Sequence, residues 1–206
     1  MRRIGHRGAA GHAPENTVAS FEAAIALGCD EVETDVWLAP DGRLLISHDR
    51  PARDAGLTLD EVLDLCRGRV GVNVDMKCEG DELRAAETGT MVATRIASRS
   101  DPDVYVSSFW WAALAEARRT APAVRRAFLF SDSPHRSALI ASALTLGLWA
   151  LHPERAYVTR ELVTAAHAAG LRVNAWTVND KAEIAAFAAL GVDGIMSNWP
   201  ERIPKG

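Results

Sequence analysis

The chain has 206 residues, enough for one substantial core and within the size at which a barrel is commonly a single domain. Its net charge of −4 argues against a dedicated nucleic-acid binder, and no run of about 18 apolar residues could span a membrane. The start lacks an apolar signal segment. The three cysteines, Cys29, Cys66 and Cys78, have no CxxC spacing, so buried, reduced thiols in a cytoplasmic protein are expected.

Short apolar runs alternate with helical patterns along the whole chain. A first strand is expected at 2–5, ending in His6-Arg7-Gly8. A helix follows at 15–27, with Pro14 and Asn16 suited to its start and Gly28 to its end. A second strand begins at 31. Asp41-Gly42 then turns the chain into a return arm that ends at His48-Asp49. Thr58 and Glu61 form a capping-box pattern for a helix at 59–67. Strands follow at 70–76, 103–107, 124–130, 148–151, 172–177 and 193–196, separated by helices at 81–98, 110–120, 135–146, 159–169 and 181–190.

Treating the return arm as an excursion leaves eight strands alternating with seven helices, which predicts an α/β fold of the (β/α)8 TIM-barrel type, one domain over 1–206. An open doubly wound sheet is the structural alternative. It usually carries GxGxxG after its first strand, and His6-Arg7-Gly8-Ala9-Ala10-Gly11 is not that motif.

Active sites of such barrels lie at the C-terminal strand ends. Polar residues gather there: His6 and Arg7, Glu33 and Asp35, His48 on the return arm, Asp75 and Lys77, then Ser107, Ser108 and Phe109, then Asn174 and Trp176. Glu33 and Asp35 are two apart on a strand and therefore share a face. So do Asn73, Asp75 and Lys77. Glu31 has the same parity but lies at the strand's start, at the barrel bottom. Three hard carboxylates favour Mg²⁺ or Ca²⁺ over zinc, and a bound cation relieves their repulsion. Arg7 and Lys77 suit an anionic group, most naturally phosphate. His6 and His48 supply an acid and a base near neutrality. The set suits phosphodiester hydrolysis, whose poor leaving group needs a proton.

The chain resembles the glycerophosphodiester phosphodiesterase family. The matching stretches are Gly5-His6-Arg7-Gly8, Pro14-Glu15-Asn16-Thr17, Glu33-Thr34-Asp35-Val36, His48-Asp49, Asp75-Met76-Lys77, Ser108-Phe109, Ala175-Trp176-Thr177-Val178-Asn179 and Gly191-Val192-Asp193-Gly194. They run in the family's order from first strand to last. The resemblance implies a (β/α)8 barrel that hydrolyses glycerophosphodiesters to glycerol 3-phosphate and an alcohol. It makes His6 and His48 the acid–base pair, Glu33 and Asp35 metal ligands, Arg7 and Lys77 phosphate contacts, and Phe109 and Trp176 apolar substrate contacts. Glu15 and Asn16 would shape the loop that carries His6.

Two departures stand out. The family's third metal ligand is usually Glu, and here it is Asp75, whose carboxylate is drawn back by roughly one C–C bond, about 1.5 Å. The family's cap insertion is shortened or absent, since only the 26 residues 49–74 separate His48 from Asp75. A more open mouth would admit a short glycerophosphodiester, a lysophospholipid or a polymer end. Two further readings keep the same residues. In one, an adjacent substrate hydroxyl attacks phosphorus and releases a cyclic phosphate. In the other, the barrel binds phosphoesters without catalysis.

Overall fold

The computed structural model describes residues 1–51, 56–99, 101, 103–132 and 135–205. Its elements, in order, are β1 (Arg2–Gly5), α1 (Val18–Ala26), β2 (Glu31–Leu38), β3 (Leu44–Ile46), α2 (Leu59–Cys66), β4 (Gly71–Met76), α3 (Glu82–Arg99), β5 (Val104–Ser108) and α4 (Trp111–Thr120). Then come β6 (Arg125–Phe130), α5 (Arg136–Thr145), β7 (Ala150–Pro153), α6 (Arg160–Ala168), β8 (Arg172–Ala175), α7 (Lys181–Leu190) and β9 (Gly194–Ser197). A 3₁₀ turn at Pro200–Arg202 follows the last strand.

Eight of the strands pair in parallel around the order β1, β9, β8, β7, β6, β5, β4, β2, and the β1–β2 pairing closes the ring. The molecule is therefore a (β/α)8 barrel. β3 stands outside that ring as an antiparallel arm on the end of β2, with Trp37 opposite Leu45. This is the expected excursion, and it delivers His48 to the C-terminal face.

The alternation of side chains along the strands explains the two environments. Val32, Val36, Val72, Val74, Val104 and Val106 are buried on the outer face, where they meet the helices. Inward positions are more polar than in an ordinary barrel core. Glu31, Glu33, Asp35, Asn73, Asp75, Ser107, His152 and Asn174 are all buried. At the barrel bottom, Glu31 accepts a hydrogen bond from Tyr105 Oη (2.9 Å) and pairs with Arg2 (2.9 Å). Arg125 and Arg172 lie over the Trp149 ring at 4.8 and 5.1 Å. Trp149, which reads as core from its apolar neighbours, is thus a half-buried lid on this end.

Several boundaries move. α1 begins after Thr17, which forms a reciprocal cap with Ser20. Asn16 is not its cap but a left-handed residue, φ 56°, whose side chain is used elsewhere. β7 lies two residues later than expected, at Ala150–Pro153, because His152 and Pro153 register with Leu129 and Phe130 of β6. Thr58 and Glu61 do form the capping box of α2. Cys29 and Cys66 are buried free thiols, while Cys78 is half-buried. Among the described residues no helix is long and apolar enough to cross a membrane.

His152 is wholly buried, and its Nε2 faces the Asn174 amide at 3.1 Å. Burial lowers its pKa to about 3. The unfolded chain therefore binds this proton near pH 6.5 while the folded chain refuses it. Stability is full above pH 6.5 and falls as pH drops toward 3, by roughly 1 kcal/mol per pH unit. His152→Asn should flatten the slope of unfolding free energy against pH between 4 and 6, measured by urea titration. An unchanged slope rejects this account.

Candidate active site

The turn after β1 sets the site. Arg7 has a left-handed backbone, φ 50°, followed by Gly8 at φ +83°. A Cβ on Gly8 would lie 2.5 Å from Ser20 Oγ, so glycine is required by space as well as by backbone angle. The turn is held from outside by Ser20 Oγ and the Asn16 amide, which both donate to the Arg7 carbonyl (2.9 and 3.0 Å). In return, the Arg7 amide donates to Glu33 Oε2 at 3.0 Å.

His6, Arg7, Glu33, Asp35, His48, Asp75, Lys77, Phe109 and Trp176 all line one cavity at the C-terminal end of the barrel. Asn73, Ser107, Leu129 and Met196 line it as well. Glu33, Asp35 and Asp75 each bring one carboxylate oxygen to within 4.8 Å of the others. The shorter Asp75 side chain therefore still reaches the cluster. Lys77 Nζ bridges Asp35 (2.9 Å) and Asp75 (2.6 Å), leaving Asp75 Oδ1 buried with no hydrogen-bond partner. Arg7 Nε lies 3.2 Å from Asp35, and the other end of the guanidinium holds Glu15 at 2.8 Å.

The three acids are shifted in different directions, each for a physical reason. Burial, with Asp35 and Asp75 alongside, pushes Glu33 well above the usual carboxylate range. Burial also raises Asp75, although Lys77 opposes it. Burial works against Asp35 too, but Lys77 and Arg7 outweigh it and hold its carboxyl below the ordinary value. Lys77 stays charged because Asp75 and Asp35 overcome its own desolvation. Three buried acids face one Lys and one Arg, so their full ionisation would leave an excess of negative charge. Hard oxygens at this spacing, one of them unpartnered, fit a divalent cation.

The imidazoles occupy different settings. His6 is nearly buried, and its Nδ1 meets Asn198 Oδ1 at 2.7 Å. That bond places the ring proton on Nδ1 and leaves Nε2 as an acceptor near Thr177 Oγ1 (3.4 Å) and Glu33 (3.9 Å). Burial, together with Arg7, lowers its pKa to about 4. His48 sits at the rim with its side chain 41% exposed, its Nδ1 held by Asp49 at 2.9 Å. Phe109 and Trp176 form an edge-to-face pair at the mouth, with centroids 5.6 Å apart. Lys77 Nζ lies 5.8 Å from the Phe109 ring.

Three further histidines fall outside this cavity. His12 pairs with Glu201 (3.0 Å) and packs edge-on against Trp199. His167 pairs with Asp193 on the outer surface (2.9 Å). His152 belongs to the buried interior and not to the cavity wall. Between His48 and the start of β4 at Gly71, α2 is the one helix or strand among the described residues, and residues 52–55 of that stretch lie outside the described residues.

Two supporting residues make contacts that a reading of the sequence does not reach. Asn16 Nδ2 donates to Asp35 Oδ2 (2.8 Å), while Asn16 Oδ1 accepts from Thr34 Oγ1 (3.0 Å). Asn198 orients His6 from the far end of the chain. Asn198 follows β9 directly, so its place at a strand end was an available signal. Asn16 was expected to shape the loop that carries His6, and its amide does hold the Arg7 carbonyl, but nothing in the sequence pointed to its bond with Asp35.

Residues 6–55 and 50–202 match the model described as the Glycerophosphoryl diester phosphodiesterase family. A glycerophosphodiester phosphodiesterase of Bacillus altitudinis is 31% identical over 235 aligned residues, covering 97% of this chain and 95% of its own length. One from Caldanaerobacter subterraneus is 28% identical, with the same coverage of both chains. The structure of an Oleispira antarctica phosphodiesterase in complex with the product sn-glycerol-3-phosphate superposes with a TM-score of 0.86 at 28% identity, covering 98% of this chain and 95% of that one.

Proposed function

The chain belongs to the glycerophosphoryl diester phosphodiesterase family and is an enzyme of that family, and on that premise we propose that it hydrolyses small glycerophosphodiesters to glycerol 3-phosphate and an alcohol. The observation that carries the proposal is the convergence of two imidazoles, three buried carboxylates, Arg7 and Lys77 on one cavity. Phosphodiester cleavage needs each kind of group. A base must take the nucleophile's proton, an acid must protonate the departing oxygen, and positive charge must meet the phosphoryl oxygens.

Glu33, Asp35 and Asp75 would hold a Mg²⁺ or Ca²⁺ ion. Such an ion, when bound, supplies Lewis-acid polarisation of a phosphoryl oxygen. The remaining work belongs to the chain's own residues. Arg7 and Lys77 bind and orient the phosphate as charged hydrogen-bond donors. His6, neutral near pH 7 and presenting Nε2, takes the proton of the attacking oxygen. The phosphorus–oxygen bond to the alcohol breaks, and His48 Nε2 gives that oxygen its proton. Asp49 supports the step by holding Nδ1, which fixes the ring's orientation. Phe109 and Trp176 supply the apolar wall against which the alcohol portion rests. With α2 the one helix or strand described between His48 and β4, a lysophospholipid or a polymer end is an admissible substrate beside the short diesters.

Incubation with glycerophosphocholine and Mg²⁺ or Ca²⁺ should release glycerol 3-phosphate. Phosphorus NMR of the first-formed product should show a monoester. A cyclic diester signal would identify internal hydroxyl attack instead, and no release from any glycerophosphodiester would overturn the assignment.

A further inference from the structure

We propose that Asn73 and Ser107 form a hydroxyl-recognising floor to this cavity, selecting diesters whose phosphate-bearing part is a polyol such as glycerol. The inference rests on the phosphodiesterase reading and deepens it by naming the group that sets substrate choice.

Asn73 lies one inward step below Asp75 on β4, in register with Glu33 on one side and Tyr105 on the other. Ser107 stands beside Asp75 on β5. Both side chains are fully buried and both line the cavity. Asn73 Oδ1, Asn73 Nδ2 and Ser107 Oγ have no protein partner. The neighbouring Ser108, with opposite parity, is satisfied: it donates to the Met76 carbonyl and accepts from the Trp110 amide. Buried polar groups are seldom left open without a use.

The chemistry of the open atoms selects the ligand. An Asn amide offers donors and an acceptor, and a Ser hydroxyl offers both. A neutral hydroxyl is the group that can use both kinds at once. A phosphate only accepts, and it belongs with Arg7 and Lys77. A cation only needs acceptors and would leave Asn73 Nδ2 unmatched. Leu129 and Met196 complete the floor with apolar surface suited to the carbon frame of a polyol.

The test compares glycerophosphocholine with the diester in which a propyl group replaces glyceryl. It also compares glycerol 3-phosphate with propyl phosphate in calorimetric titrations with Mg²⁺ present. Wild type should favour the glyceryl compound by roughly 100-fold or more in kcat/KM, since a site built around a hydroxyl rejects the analogue lacking it. Asn73→Leu should cut that ratio at least about tenfold, and Ser107→Ala by a few-fold. Equal wild-type affinity for the two monophosphates overturns the floor, as does a variant that weakens both substrates by one common factor. If Asn73→Leu fails to fold, Ser107→Ala carries the comparison. Should wild type release no glycerol 3-phosphate, the phosphodiesterase reading falls, while the affinity ratio still decides the floor.

Discussion

Replacing His48 by alanine should lower kcat on glycerophosphocholine by about 10²–10⁴-fold, while a glyceryl p-nitrophenyl diester loses less than about tenfold. The difference follows from the leaving group. An alkyl alkoxide cannot depart without a proton, whereas an aryl oxide departs as a stable anion. His6→Ala should lose a similar 10²–10⁴-fold on both substrates, because the nucleophile is the same in each. The two settings support this division. His6 is buried, uncharged near neutrality, and locked by Asn198 with Nε2 available to accept a proton. His48 stands at the rim, where a leaving alcohol exits, with Asp49 behind it. Steady-state kinetics of both variants on both substrates decide the matter. The opposite pattern exchanges the roles, and full activity in either variant removes that residue from the chemistry.

Much of this site was legible because strands impose parity. Glu33 with Asp35, and Asn73 with Asp75, had to share faces, and a closed barrel turns one face of every strand inward. The Asp41-Gly42 turn likewise had to bring His48 back toward the end of β2. What parity does not encode is the contact made across the ring. Asn16 reaches Asp35 from a loop, and Asn198 reaches His6 over 192 positions. Neither bond leaves a periodic trace, because each depends on barrel closure and not on local geometry. The same holds for α1. Asn16 looked like a helix start, but its side chain is committed to Asp35 and its backbone is left-handed, so Thr17 takes the cap. The reading as a non-catalytic binding barrel rested on the shortened Asp75 and on the loss of the cap. The Asp75 carboxylate remains within the acidic cluster, and the chain belongs to an enzyme family.

Adding Mg²⁺ or Ca²⁺ to metal-stripped protein should raise its melting temperature by roughly 5–10 °C once the ion is about 100-fold above its Kd. That occupancy corresponds to about 2.7 kcal/mol, and a chain of this size shifts by about 2–4 °C per kcal/mol. Zinc serves as the contrast, since the donors are all carboxylate oxygens. Glu33→Gln and Asp35→Asn should both abolish the shift and lower kcat by at least about 10³-fold, because the ion's charge stabilisation is worth several kcal/mol. Their behaviour without metal should differ in sign. Glu33 is the acid whose charge is most opposed, by burial first and then by Asp35 and Asp75, and glutamine can still accept from the Arg7 amide, so Glu33→Gln should melt at or above wild type. Asp35 holds Lys77, Arg7 and Asn16 together, so Asp35→Asn should melt below it. Differential scanning calorimetry of the three proteins, with and without each ion, reads both signs. A wild-type melt indifferent to millimolar Mg²⁺ and Ca²⁺ would mean that Lys77 and Arg7 suffice to balance these acids, and the cation would have to be removed from the mechanism.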